Sequence, residues 1–135
     1  MGSEAILVVD DDAEALAFCC SVLTESGYRV LPAASGEEAL KIYRRENGGI
    51  DLALVDVVMP QMTGIDLAKR LEALERSPKV ALVSGYTPEE MDRLIGEEGS
   101  SYRIIWKPFD IHVFLQLVRN VLDTPQKAAV FTARS

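Results

Sequence analysis

The chain has 135 residues, enough for one domain with a proper core and too few for two. Its 48% hydrophobic and 26% charged residues are an ordinary globular balance, and no apolar run approaches the roughly 18–20 residues that cross a bilayer. The net charge of −7, with basic residues scattered as Lys41, Arg44, Arg45, Lys69 and Arg70, argues against a direct nucleic-acid surface, which needs clustered cations. The start, Met1-Gly2-Ser3-Glu4, lacks the basic opening and apolar stretch of a secretory signal. Adjacent Cys19 and Cys20 cannot build a disulfide framework, and they read as reduced, half-buried thiols of a cytoplasmic protein.

Apolar runs alternate with segments of helical period along the chain. Ile6 to Val9 is a continuous branched run, as in a strand buried on both faces. A helix follows over about Ala13 to Glu25 and stops before Gly27, which tolerates positive φ. Tyr28 to Ala33 reads as the second strand. Ser35-Gly36-Glu37-Glu38 reads as a capping box, with Ser35 capping the next helix and Glu38 reaching back to the Ser35 amide. That helix runs to about Arg45 and ends at Asn47-Gly48-Gly49. Leu52 to Val55 is the third strand, followed by a loop with Pro60 and Gly64 and a helix over about Ile65 to Leu74. Lys79 to Val83 is the fourth strand, and Thr87-Pro88-Glu89-Glu90 opens the fourth helix with a cap, a first-turn proline and an acid. Arg103 to Trp106 is the fifth strand. The last helix starts near Asp110, a plausible cap, and carries Val113, Phe114, Leu117, Val118 and Leu122. The domain is expected over residues 1–123, with 124–135 as tail or linker.

Strict βα alternation predicts an α/β fold: a single doubly wound (βα)5 domain, its parallel sheet in the flavodoxin-like order 2-1-3-4-5. Ligands of such sheets bind beyond the carboxyl ends of the strands, near the point where strand order reverses. Asp10, Asp11 and Asp12 follow the first strand and Asp56 the third, two strands that are neighbours in this order. Like charges so close raise one another's pKa and call for a cation. A hard, oxygen-coordinated ion fits, and Mg²⁺ uses few carboxylates and keeps its waters. Asp12 also lies where a helix cap belongs. Ser84 ends the fourth strand and Lys107 the fifth, so carboxylates, a hydroxyl and an ammonium group share one sheet edge. That set suits phosphoryl transfer, with Asp56 as nucleophile and Ser84 and Lys107 meeting the equatorial oxygens.

The segments Leu7 to Asp12, Leu54 to Pro60 with Gly64, Leu82 to Tyr86, and Trp106 to Phe109 together resemble the signature blocks of two-component response-regulator receivers, over about Ile6 to Leu122. The resemblance implies that Asp56 is the phosphoacceptor and Asp11 a direct Mg²⁺ ligand. It implies that Asp10 acts largely through metal-bound water and that the Val58 carbonyl completes the protein's share of the shell. It makes Ser84 the switch hydroxyl, Lys107 the phosphate-pairing lysine, and the Lys107-Pro108 bond cis. The partners it implies are a histidine kinase or histidine phosphotransfer domain and a downstream effector. The only catalysis it implies is the domain's own phosphoryl transfer and dephosphorylation. Ser84-Gly85-Tyr86-Thr87 further resembles receivers of hybrid sensor kinases.

Two positions depart from the pattern. Many receivers carry an aromatic ring three residues before the lysine; here Ile104 stands there, with Tyr102 nearby. Val58 and Tyr86 occupy the variable positions two residues past Asp56 and Ser84, where an apolar group and a ring orient water poorly and shelter an acyl phosphate. Other chemistries fit less well. A haloacid-dehalogenase-type phosphatase needs an acid where Val58 stands. The acidic first loop repels a flavin phosphate, and the chain has no G-x-x-x-x-G-K-[ST] loop. A receiver fold that signals without phosphorylation is the alternative, against which the set of Asp11, Asp56, Ser84 and Lys107 counts. The single histidine, His112, is expected on the surface of the last helix.

Overall fold

The computed structural model describes residues 4–59, 61–96 and 102–124, apart from the side chain of Ile95. Pro60 and the tail beyond Thr124 lie outside the described residues. The elements in chain order are β1 (Ala5–Val9), α1 (Ala13–Glu25), β2 (Arg29–Ala33), α2 (Gly36–Glu46), β3 (Leu52–Asp56), α3 (Gly64–Glu72), β4 (Lys79–Ser84), α4 (Pro88–Ile95), β5 (Arg103–Trp106) and α5 (Ile111–Asp123). The strands form one sheet in the order β2-β1-β3-β4-β5, every pair parallel.

Side chains alternate across each strand, so a strand buried on both faces feeds two cores. Leu7, Val9, Ala53, Val55 and Leu82 face α2 and α3, where Leu40, Tyr43, Leu67 and Leu71 close over them. Ile6, Val8, Leu54, Ala81 and Val83 face the other way, onto Leu23 of α1 and Phe114, Val118 and Leu122 of α5. β1 and β3, the central pair, are buried at every residue. Pro32 is tolerated because β2 is an edge strand. Cys19 and Cys20 are both free, half-buried thiols against the α1–α5 core.

Helix starts are set by side chains that accept from the exposed first-turn amides. Asp12 caps α1, Thr63 caps α3 and Asp110 caps α5. At α4 the capping box is complete: Thr87 Oγ1 accepts from Glu90 N at 3.2 Å, and Thr87 N donates to Glu90 Oε1 at 2.8 Å. At α2 the expected box is shifted. Ser35 Oγ accepts from Glu38 N, but the Glu38 carboxylate takes the amide of Ala34, one residue earlier, at 2.6 Å. Asn47 ends α2 in the left-handed region, at φ 50°. At the far end of α5, the Lys79 amine donates to the Leu122 carbonyl, and Arg119 joins Glu4 and Asp123 at 2.7 and 2.9 Å.

Gly64 fixes the loop that leaves β3. Its amide donates to the Val57 carbonyl at 3.0 Å, and a Cβ placed on it would stand 2.1 Å from the Asp56 carbonyl oxygen. No side chain fits against that backbone. Gly64→Ala is therefore expected to destabilise the domain by about 3 kcal/mol, the upper range for overpacking a tight contact. Urea denaturation measures it; an unchanged midpoint would show that the loop yields without cost.

Candidate functional site

The strand ends place the site. Asp10 follows β1, and its amide donates to the Ala33 carbonyl at 3.1 Å, which fixes it beside the end of β2. Asp10 Oδ1 accepts from Asp12 N at 2.9 Å, so the turn into α1 orients the carboxylate. Asp56 is the last residue of β3 itself, one position further into the strand than the sequence pattern suggested. Asp10 and Asp56 are buried and Asp11 is exposed. One carboxylate oxygen from each of the three lies within 4.8 Å of the others.

Such crowding is costly in the absence of a cation. Burial is the main cause that pushes the Asp56 carboxyl up to about 6; the negative charge of Asp10 adds to it, and Lys107 opposes it. The Lys107 ammonium stands 3.8 Å from Asp10 Oδ2, a loose ion pair that leaves one cation facing three carboxylates. Three hard oxygen donors with a net negative charge fit a small divalent ion.

Ser84 ends β4 and is fully buried. Its Oγ accepts from Tyr86 N at 3.0 Å, and its carbonyl accepts from Lys107 N at 2.8 Å. Ser84 and Lys107 are thus held to each other through the backbone. The Lys107-Pro108 peptide is cis. The Val58 side chain is exposed, while its amide makes a long contact, 3.5 Å, with Asp56 Oδ1. Val58 and Tyr86 line one groove between the β3–α3 loop, α3 and α4.

Asp10, Asp11, Asp56, Val58, Ser84 and Lys107 therefore gather at one sheet edge. Ile104 packs half-buried on the α2–α3 side, as does Tyr102, whose nearness to Glu72 opposes the upward push of burial on that carboxyl. His112 is exposed on the first turn of α5. Sequence reasoning did not foresee the supporting contacts of Thr63 and Gly64. The Thr63-Gly64-Ile65-Asp66 run, a cap followed by an acid in the first turn, was the available signal.

A parallel 2-1-3-4-5 sheet with acids after β1 and β3, a hydroxyl after β4 and a lysine after β5 is the arrangement of a receiver. The family model for the response regulator receiver domain matches residues 6–119, and the chain belongs to that family. It is 34% identical over 117 residues to the transcriptional regulatory protein CpxR of Klebsiella pneumoniae, covering 87% of this chain and 48% of that protein. It is 32% identical over 122 residues to sporulation initiation phosphotransferase F of Bacillus subtilis, covering 90% and 96%. Among solved structures it is similar to the response regulator TrrA of Thermotoga maritima in complex with Mg²⁺ and beryllofluoride, with TM-score 0.75, 27% identity and coverage of 87% and 98%. The chain spans about half the length of the CpxR relatives it matches. Among the described residues, no helix is long and apolar enough to cross a membrane.

The raised Asp56 pKa carries a stability signature in metal-free protein. The group is easier to protonate folded than unfolded, so its contribution is most favourable below about pH 4 and is lost as pH rises through about 6. Asp56→Asn removes that penalty and should stabilise the metal-free domain at pH 7 by on the order of 2 kcal/mol. Urea melts with chelator from pH 4 to 8 measure it; equal stability of the two proteins at pH 7 would show that the carboxylate is not under strain.

Proposed function

We propose that the domain is a phosphoacceptor in a two-component phosphorelay, and that Asp56 receives the phosphoryl group. The observation that carries this reading is the buried Asp56 carboxylate in a cluster with Asp10 and Asp11, beside Lys107. The donor is a phosphohistidine of a histidine kinase or phosphotransfer domain. An Asp56 oxygen attacks phosphorus, the P–N bond breaks, and its electron pair stays on the departing imidazole. Lys107 places its ammonium charge against the equatorial oxygens, and Ser84 donates its hydroxyl proton to one of them. Asp10, Asp11, Asp56 and the Val58 carbonyl would hold Mg²⁺, which supplies the positive charge that lets an anionic group approach three carboxylates.

The message passes by a shift between inactive and active states to an effector protein or domain, with no direct contact to nucleic acid or membrane. The domain is not an enzyme in the ordinary sense, since it acts only on its own aspartyl group. Cytoplasmic placement suits that role. Because the chain matches only part of the CpxR relatives, the output that they carry belongs to this proposal only as an unspecified effector.

Beryllofluoride with Mg²⁺ should alter the emission of Trp106, which is partly exposed and adjoins Lys107. Acetyl phosphate should add one phosphoryl group by mass. Both changes should be absent in Asp56→Asn; an Asp56-independent response, or none, would favour a phosphate-independent interaction module. Lys107→Met should slow transfer about 100-fold, the scale of losing one charged stabiliser.

The apolar Val58 and the ring of Tyr86 orient water poorly and favour a long-lived acyl phosphate. Val58→Asn should shorten its lifetime severalfold, as followed by decay of the phosphorylated protein; slower decay in the variant would contradict the shelter.

A further inference from the structure

A cavity of about 460 Å³ lies behind the acidic cluster, on the face of the sheet covered by α1 and α5. Its floor is Val8, Leu54 and Val83, the apolar strand residues below the site. Its sides are Ala15 and Cys19 of α1 and Phe109 of the β5–α5 loop. Phe18 of α1 lines it as well but is largely exposed and does not fill it. Phe109 does not fill it either: the ring is stacked on Phe114 at 4.7 Å and 14°, so it forms a wall. The Cys19 thiol, pushed up to about 11 by burial, adds no charge to the lining at neutral pH.

The mouth is different in kind. Asp10 and Asp56 reach it, with Asp11 alongside and Lys107 the one cation among the lining residues. An anion would meet a net negative rim there, and a neutral molecule would leave the carboxylates as crowded as before. A cation with an apolar body satisfies both parts at once. The volume lies within the usual range for small-molecule sites, which are mostly apolar with a few convergent polar groups.

We infer that this cavity binds small amphipathic amines, the apolar ring or chain filling the space behind Asp56 and the ammonium group meeting Asp10 and Asp56 in competition with the divalent cation. Such a ligand would hold the domain in a state that cannot be phosphorylated. The competition rests on the metal site proposed above; the cavity itself does not.

The test titrates the full chain with 2-phenylethylammonium, using ethylammonium as a control without the ring and 2-phenylethanol as a control without the charge. Binding is followed by calorimetry, and Mg²⁺ binding by Trp106 fluorescence. The aromatic amine should bind at least about tenfold more tightly than either control, because only it combines apolar burial with the charge. It should also raise the apparent Mg²⁺ dissociation constant. Cys19→Phe, and separately Ala15→Leu, should fill the cavity and weaken the amine about tenfold while leaving Mg²⁺ affinity unchanged; circular dichroism shows that each variant is folded. Equal binding of ethylammonium would show that the acidic cluster alone suffices, and equal binding of phenylethanol that the charge is irrelevant; either overturns the inference. So does undiminished amine binding in both filled variants. Mg²⁺ binding with no amine binding overturns this inference alone. Amine binding that is lost in the filled variants, with no Mg²⁺ binding, supports the cavity and overturns the metal site.

Discussion

Three carboxylates share one crevice, and most of the surrounding structure answers to that repulsion. Two of them are buried, so water screens them little. Lys107 is close to Asp10 but at 3.8 Å does not neutralise it fully. The backbone helps where it can: the Asp12 amide donates to Asp10, and the Val58 amide approaches Asp56. What is left over is a net negative charge in a place where a rigid parallel sheet prevents the groups from moving apart. The fold thus holds its acids in a state that a cation can relieve.

The same framework indicates how occupancy could be felt elsewhere. Ser84 Oγ is engaged with the Tyr86 amide, at the start of the loop into α4. On the proposed reading, turning the hydroxyl toward a phosphoryl oxygen gives up that bond and releases the loop. Ser84 also carries the amide of Lys107 on its carbonyl, which ties the end of β4 to the β5–α5 loop. With Ile104 where many receivers have a ring, the nearby Tyr102 packs on the α2–α3 side close to Glu72. On the proposed reading, the signal leaves through loop backbone more than through an aromatic rotamer.

Much of this was legible in the amino-acid order because the fold writes itself in periods. Branched runs at Ile6–Val9 and Leu52–Val55 could only be buried strands, and the acids behind them could only lie at one sheet edge. The caps at Thr87 and Asp110 followed from local chemistry alone. Features that depend on distance in space were not legible. The Glu38 carboxylate chose the Ala34 amide over that of Ser35, a choice set by backbone placement. The close approach of Gly64 to the Asp56 carbonyl is a contact between elements, visible in sequence only as a glycine near a loop. The cavity is a volume left between Ala15, Cys19, Leu54 and Phe109, which no local pattern encodes. The approach of Tyr102, just before β5, to Glu72 at the end of α3 likewise depends on the fold.

On the proposed reading, the buried Asp56 carboxylate must be ionised, against its surroundings, for the cation to bind. Calorimetric Mg²⁺ titration from pH 5 to pH 8 tests it directly. Affinity should rise with pH through about 6 and then level off, with proton release on binding at the low end; Asp56→Asn should bind more weakly and lose that rise. Affinity that is independent of pH across this range, or equal in the two proteins, would contradict it.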